Sequence, residues 1–109
     1  MRGGVKLLES KADSICRGEI LRVKGKYPYE DAVDFMVFET MRVDTPYGLM
    51  VTSGYKAGLI LVCLPKISNV SGGLDKNWVI SNWGEWIYPD CDVSEAYLIN
   101  GYSVHPDDS

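Results

Sequence analysis

Between Val33 and Val43 the chain alternates apolar and polar side chains, and that period of two is its strongest structural constraint. Val33, Phe35, Val37, Met41 and Val43 fall on one side; Asp34, Met36, Phe38, Thr40 and Arg42 fall on the other. Glu39 alone interrupts the first row. Successive side chains of a strand point to opposite faces, so this spacing predicts one long strand over residues 33–43. Asp44-Thr45-Pro46-Tyr47-Gly48 has turn composition, and Leu49–Ser53 reads as the returning strand of a hairpin.

The neighbouring segments extend the sheet. Gly18–Gly25 reads as a strand between two glycines, and Lys26–Asp31 as a loop. Leu59–Leu64 is apolar on both faces, the pattern of a central strand covered on both sides. Pro65–Gly73 reads as a loop, and Ser94–Asn100 as a last strand. Two segments break the period of two. Apolar residues at 5, 7, 8, 12 and 15 predict a short helix over Val5–Ile15. Trp78, Val79, Asn82, Trp83, Trp86 and Ile87 follow helical spacing behind Asp75, a suitable N-cap. Pro89 stops that second helix. Strands joined by short turns pair antiparallel. The expected class is α+β: an antiparallel β-sheet of about five strands, with an N-terminal helix and a tryptophan-rich C-terminal helix packed on it. With 109 residues, 46% of them hydrophobic, and no linker or repeat, one domain over residues 1–109 is expected.

Composition narrows the function classes. No apolar run reaches the ~20 residues of a membrane helix, and the first residues lack the apolar core of a signal peptide. A soluble cytoplasmic protein without membrane contact is expected. Cys16, Cys63 and Cys91 are odd in number and widely spaced, which disfavours a disulfide framework or zinc site. Cys63 reads as a small core residue. The net charge is −4: residues 1–54 balance, while residues 55–109 hold three basic side chains against seven acidic ones. Such a surface repels nucleic-acid phosphates and attracts basic proteins; it also serves plain solubility.

Catalytic constellations are scarce. His105 is the single histidine and lies near the chain end, where it serves poorly as a general base or metal ligand. Ser71-Gly72-Gly73-Leu74-Asp75-Lys76 lacks P-loop spacing. No metal or other cofactor is called for. Two carboxylate groups stand out: Glu30, Asp31 and Asp34; and Asp90, Asp92 and Glu95. They read as solvated loops, as a protein-recognition surface, or as oxygen ligands and acid–base pairs. Trp83 reads as core; Trp78 and Trp86 read as core or as stacking surface. Tyr27, Tyr29, Tyr47, Tyr55 and Tyr88 fall in expected loops or turns, where one ring offers both contact area and a hydrogen bond.

Several runs carry a resemblance: Tyr27-Pro28-Tyr29-Glu30-Asp31 into Asp34-Phe35; Tyr47-Gly48-Leu49-Met50-Val51-Thr52-Ser53-Gly54-Tyr55-Lys56-Ala57-Gly58; Asn82-Trp83; Trp86-Ile87-Tyr88-Pro89; and Cys91-Asp92-Val93. From about Gly18 to Tyr102 the chain resembles small immunity proteins of bacterial polymorphic-toxin and contact-dependent growth-inhibition systems. The resemblance implies a non-enzymatic protein that binds a cognate C-terminal toxin domain in the cytoplasm as a heterodimer. Neutralisation would come from occluding the toxin's active site or its substrate's approach. A nuclease toxin with a basic cleft suits an acidic partner. The expected contact residues are Tyr27, Tyr29, Glu30, Asp31, Asp34, Asp90, Asp92 and Glu95. The competing expectations are a generic protein-interaction module, using a sheet edge or the tryptophan helix, and a small-ligand binder or enzyme with a deep acidic pocket.

Overall fold

The computed structural model describes residues 4–25 and 32–101. In chain order the strands are β1 (Val5–Lys6), β2 (Ser14–Cys16), β3 (Ile20–Lys24), β4 (Ala32–Glu39), β5 (Tyr47–Val51), β6 (Ile60–Leu64), β7 (Asn69–Val70), β8 (Gly73–Asp75) and β9 (Tyr97–Ile99). The helix α1 (Lys76–Ser81) follows β8 and runs into a π-helical turn at Trp83–Ile87. Single 3-10 turns cover Leu7–Glu9, Lys66–Ser68 and Val93–Glu95. Six strands form one antiparallel sheet in the order β1-β9-β3-β4-β5-β6, and three form a small second sheet in the order β2-β8-β7. The class is α+β and the sheets are antiparallel, as the hairpin spacing requires.

The core lies against one face of the large sheet. Leu21, Val23, Val33, Phe35, Val37 and Leu49 meet Ile15 and Leu74 of the small sheet, and Val79, Trp83 and Ile87 of the helical segment. The alternation in β4 therefore works as expected, with Val33, Phe35 and Val37 buried together. The opposite face carries a cross-strand row: Ile99 beside Ile20, Ile20 beside Met36, Met36 beside Met50, and Met50 beside Ile60. In the next row Gly48 brings β5 and β6 close. A Cβ there would meet the Val62 carbonyl oxygen at 2.6 Å and the Phe38 ring at 2.8 Å.

Four expectations are corrected. The N-terminal helix is absent; that stretch forms β1, a 3-10 turn and β2. Of its five apolar residues only Leu7 and Ile15 are buried, and the backbone pairs elsewhere: Leu7 N–H donates to the Ala96 carbonyl at 2.8 Å, and Ile15 pairs with Leu74. An 11-residue helix is marginal alone, so sheet pairing wins. The long strand stops at Glu39. Thr40 N–H donates to the Pro46 carbonyl and its hydroxyl to the Thr45 carbonyl, closing a loop that leaves Met41 fully exposed.

The second helix starts as expected, with the Asp75 carboxylate accepting from Asn77 N–H at 3.1 Å. It breaks at Asn82, whose side-chain amide donates to the Trp78 carbonyl at 2.9 Å. That local bond competes with the helical ladder. Beyond it the turn widens, with Tyr88 N–H reaching the Trp83 carbonyl at 3.0 Å. Finally, Leu59–Leu64 is not central. Among the described residues β6 is a sheet edge; Leu59 and Ile60 are each 58% exposed, and Cys63 is half-buried on that edge rather than in the core.

Candidate functional site

The acidic segment after the π-helical turn is held by specific backbone contacts. Trp83 is buried, and its indole N–H donates to the Cys91 carbonyl at 2.8 Å. A buried indole needs such an acceptor, so the core tryptophan also fixes the loop that carries Asp90 and Asp92. Asp92 caps the next turn: its carboxylate accepts from Ser94 N–H at 3.1 Å and from the Ser94 hydroxyl. These two bonds, the hydroxyl's being the stronger influence, pull the Asp92 pKa below its ordinary value. Asp92 therefore keeps its negative charge to a lower pH than it would without Ser94.

Asp90 and Asp92 line one open cleft of about 430 Å³, together with Ile80, Trp83, Pro89 and Val93. Glu95 does not join them there. It lines a second open cleft of about 420 Å³ with Tyr97, where the other charged side chains are Lys6, Arg22 and Lys24. Substrate pockets enclose most of a ligand's surface, and neither of these open clefts does. Among the described residues no group of three or more His, Cys, Asp or Glu side chains is placed to hold a metal ion. No helix of the described residues is long and apolar enough to cross a membrane.

The first carboxylate group divides. Tyr27, Tyr29, Glu30 and Asp31 lie outside the described residues, as does His105. Asp34, an expected contact residue, is buried. It is 2% exposed and sits directly opposite Arg22 across the β3–β4 pair. Arg22 Nε donates to Asp34 Oδ1 at 2.6 Å and a terminal nitrogen to Oδ2 at 2.8 Å. The Asp34 amide N–H donates to the Ser53 hydroxyl at 2.9 Å. Register sets this carboxylate against Arg22 on the sheet face opposite the core, and the bidentate guanidinium satisfies it there.

The aromatic residues separate in the same way. Tyr47 and Tyr88 pack against the core, Tyr88 edge-on to Phe35 with ring centroids 5.4 Å apart. Tyr55 and Tyr97 are exposed; Tyr97, on β9, was not among the loop tyrosines singled out from the sequence. Trp86 is partly exposed and leans on Trp78 at 5.8 Å.

Among the described residues, Asp90, Asp92 and Glu95 thus stand on open clefts, a geometry suited to contact with another surface. The comparison with known families makes this particular. The family model for Immunity protein 45 matches residues 7–98, and the chain belongs to that family. Membership makes it an immunity protein and implies a cognate toxin as partner. No curated protein and no solved structure matches the chain.

Proposed function

We propose that this protein neutralises a basic nuclease toxin of its own polymorphic-toxin or contact-dependent growth-inhibition system. The whole chain acts as one binding unit in the cytoplasm. It forms a heterodimer with the toxin's C-terminal domain and covers the active site or the path of the substrate. It catalyses nothing, takes no cofactor, and binds neither nucleic acid nor membrane. The observation that carries this reading is family membership over residues 7–98. The acidic balance adds the chemistry of the partner: a net charge of −4 suits a cleft built to bind phosphates.

Asp90, Asp92 and Glu95 are the contact residues this reading assigns, with Tyr27, Tyr29, Glu30 and Asp31 retained from the sequence. Asp34 is reassigned to positioning, because its carboxylate holds Arg22. The test is capture from the source bacterium with this protein as bait, at low and high salt, followed by co-expression. A captured basic toxin domain should arrest growth when expressed alone and should be harmless beside this protein. Failure to protect against any captured toxin domain would end this reading.

A further inference from the structure

The two edges of the large sheet differ. β1 closes one edge with two residues, one of them Lys6. β6 closes the other with five residues, Ile-Leu-Val-Cys-Leu, and no charge or proline among them. Edges of this kind invite another strand, and proteins blunt them where pairing is unwanted.

The register fixes what β6 offers. Thr52 N–H donates to the Asp34 carbonyl at 2.9 Å and Thr40 N–H to the Pro46 carbonyl at 2.7 Å. Antiparallel pairs alternate in bonding direction, so β5 residues of even number bond to β4 and those of odd number bond to β6. Val51 N–H donating to the Leu59 carbonyl at 2.8 Å agrees. Val62 and Leu64 stand opposite Leu49 and Tyr47, so their backbone groups turn inward. Those of Cys63 turn outward, where among the described residues no strand pairs with them.

Charge selects the occupant. Residues 45–74 contain no Asp or Glu, and their charged side chains are Lys56 and Lys66. One lies in the turn before β6 and the other in the 3-10 turn after it. Two copies pairing antiparallel through β6 would set lysine against lysine at both ends, which disfavours self-pairing. A foreign strand with carboxylates at its ends meets no such repulsion. We propose that β6 receives an edge strand of the cognate toxin, flanked by acidic residues, by strand addition to the six-stranded sheet. This rests on the reading that the protein binds a toxin, and it adds a contact separate from the acidic cleft.

The test uses the full chain and the toxin domain captured above, inactivated for handling. Cys63→Pro removes an outward N–H, which edge strands tolerate, so melting should change little while affinity falls at least 100-fold. Lys56→Glu with Lys66→Glu should weaken binding about tenfold. In the wild-type complex, hydrogen exchange at the Cys63 amide should slow at least 100-fold, a readout independent of whether the proline variant folds. Unchanged exchange at Cys63 in a formed complex overturns the edge contact and leaves the toxin-binding reading standing. A wild-type dimer that Cys63→Pro converts to monomer makes a second copy the occupant and also overturns it. A wild-type chain that binds no toxin domain overturns both readings.

Discussion

Asp34 and Asp92 are both carboxylates in hydrogen bonds, yet they serve opposite ends. Asp34 is enclosed and paired with Arg22, whose side chain keeps about a third of its surface. Removing one partner takes this ion pair from the other, which in a fully buried pair costs about 3–5 kcal/mol. Because Arg22 can still reach water, Asp34→Ala should destabilise the fold by about 2–4 kcal/mol in urea unfolding. A loss below about 1 kcal/mol would show that the pair is incidental. Asp92 is exposed, and Ser94 is what lowers its pKa. The folded-state value lies below the unfolded one, so its contribution is present above the unfolded pKa. It is lost as pH falls through the folded value. Ser94→Ala should move the Asp92 midpoint up toward the ordinary carboxylate value in a carbon-detected NMR titration. An unmoved midpoint would remove the cap as its cause.

Elements meet here through close backbone approach. Gly73 in β8 faces Cys16 of β2, and a Cβ there would sit 2.3 Å from the Ile15 carbonyl oxygen and 2.8 Å from Cys16 Cα. Both obstacles are backbone, so neither can swing aside. Gly73→Ala should cost about 3 kcal/mol, at the top of the usual overpacking range of about 1–3 kcal/mol. It should also lower amide protection across β2 and β8 first; uniform loss of protection would place the strain elsewhere. None of this was legible in Ser71-Gly72-Gly73, which reads as loop because three-residue strands leave no period to detect. Legible instead were the core row of β4, the Asp75 cap and the end of the helical segment before Pro89, each carried by local chemistry. The edge position of β6 was not. Apolar residues on both faces signal coverage, whereas here the exposed half of the pattern faces solvent at an edge. Lys56 and Lys66 on either side were the available signal. The burial of Asp34 was not legible for a related reason, since its partner Arg22 lies on another strand and only the register joins them.

For the whole molecule, charge is the property that one measurement can test against the proposed partner. Residues 75–109 hold Lys76 as their one Lys or Arg, against seven Asp and Glu, so along the chain the negative charge is concentrated in the segment that contains Asp90, Asp92 and Glu95. A field of one sign steers an oppositely charged partner before contact, and salt shortens its reach to about 8–10 Å near physiological strength. Association with the toxin domain should therefore slow at least tenfold between roughly 20 mM and 500 mM salt, as the ions screen the approach. Dissociation should change far less, because steering acts before the complex forms. The triple variant Asp90→Asn, Asp92→Asn, Glu95→Gln should bring the low-salt association rate down toward the high-salt one. Stopped-flow measurement of both rates separates these effects. A wild-type association rate indifferent to salt would mean that the acidic segment serves solubility rather than recognition. The binding energy would then have to come from apolar surfaces such as the β6 edge.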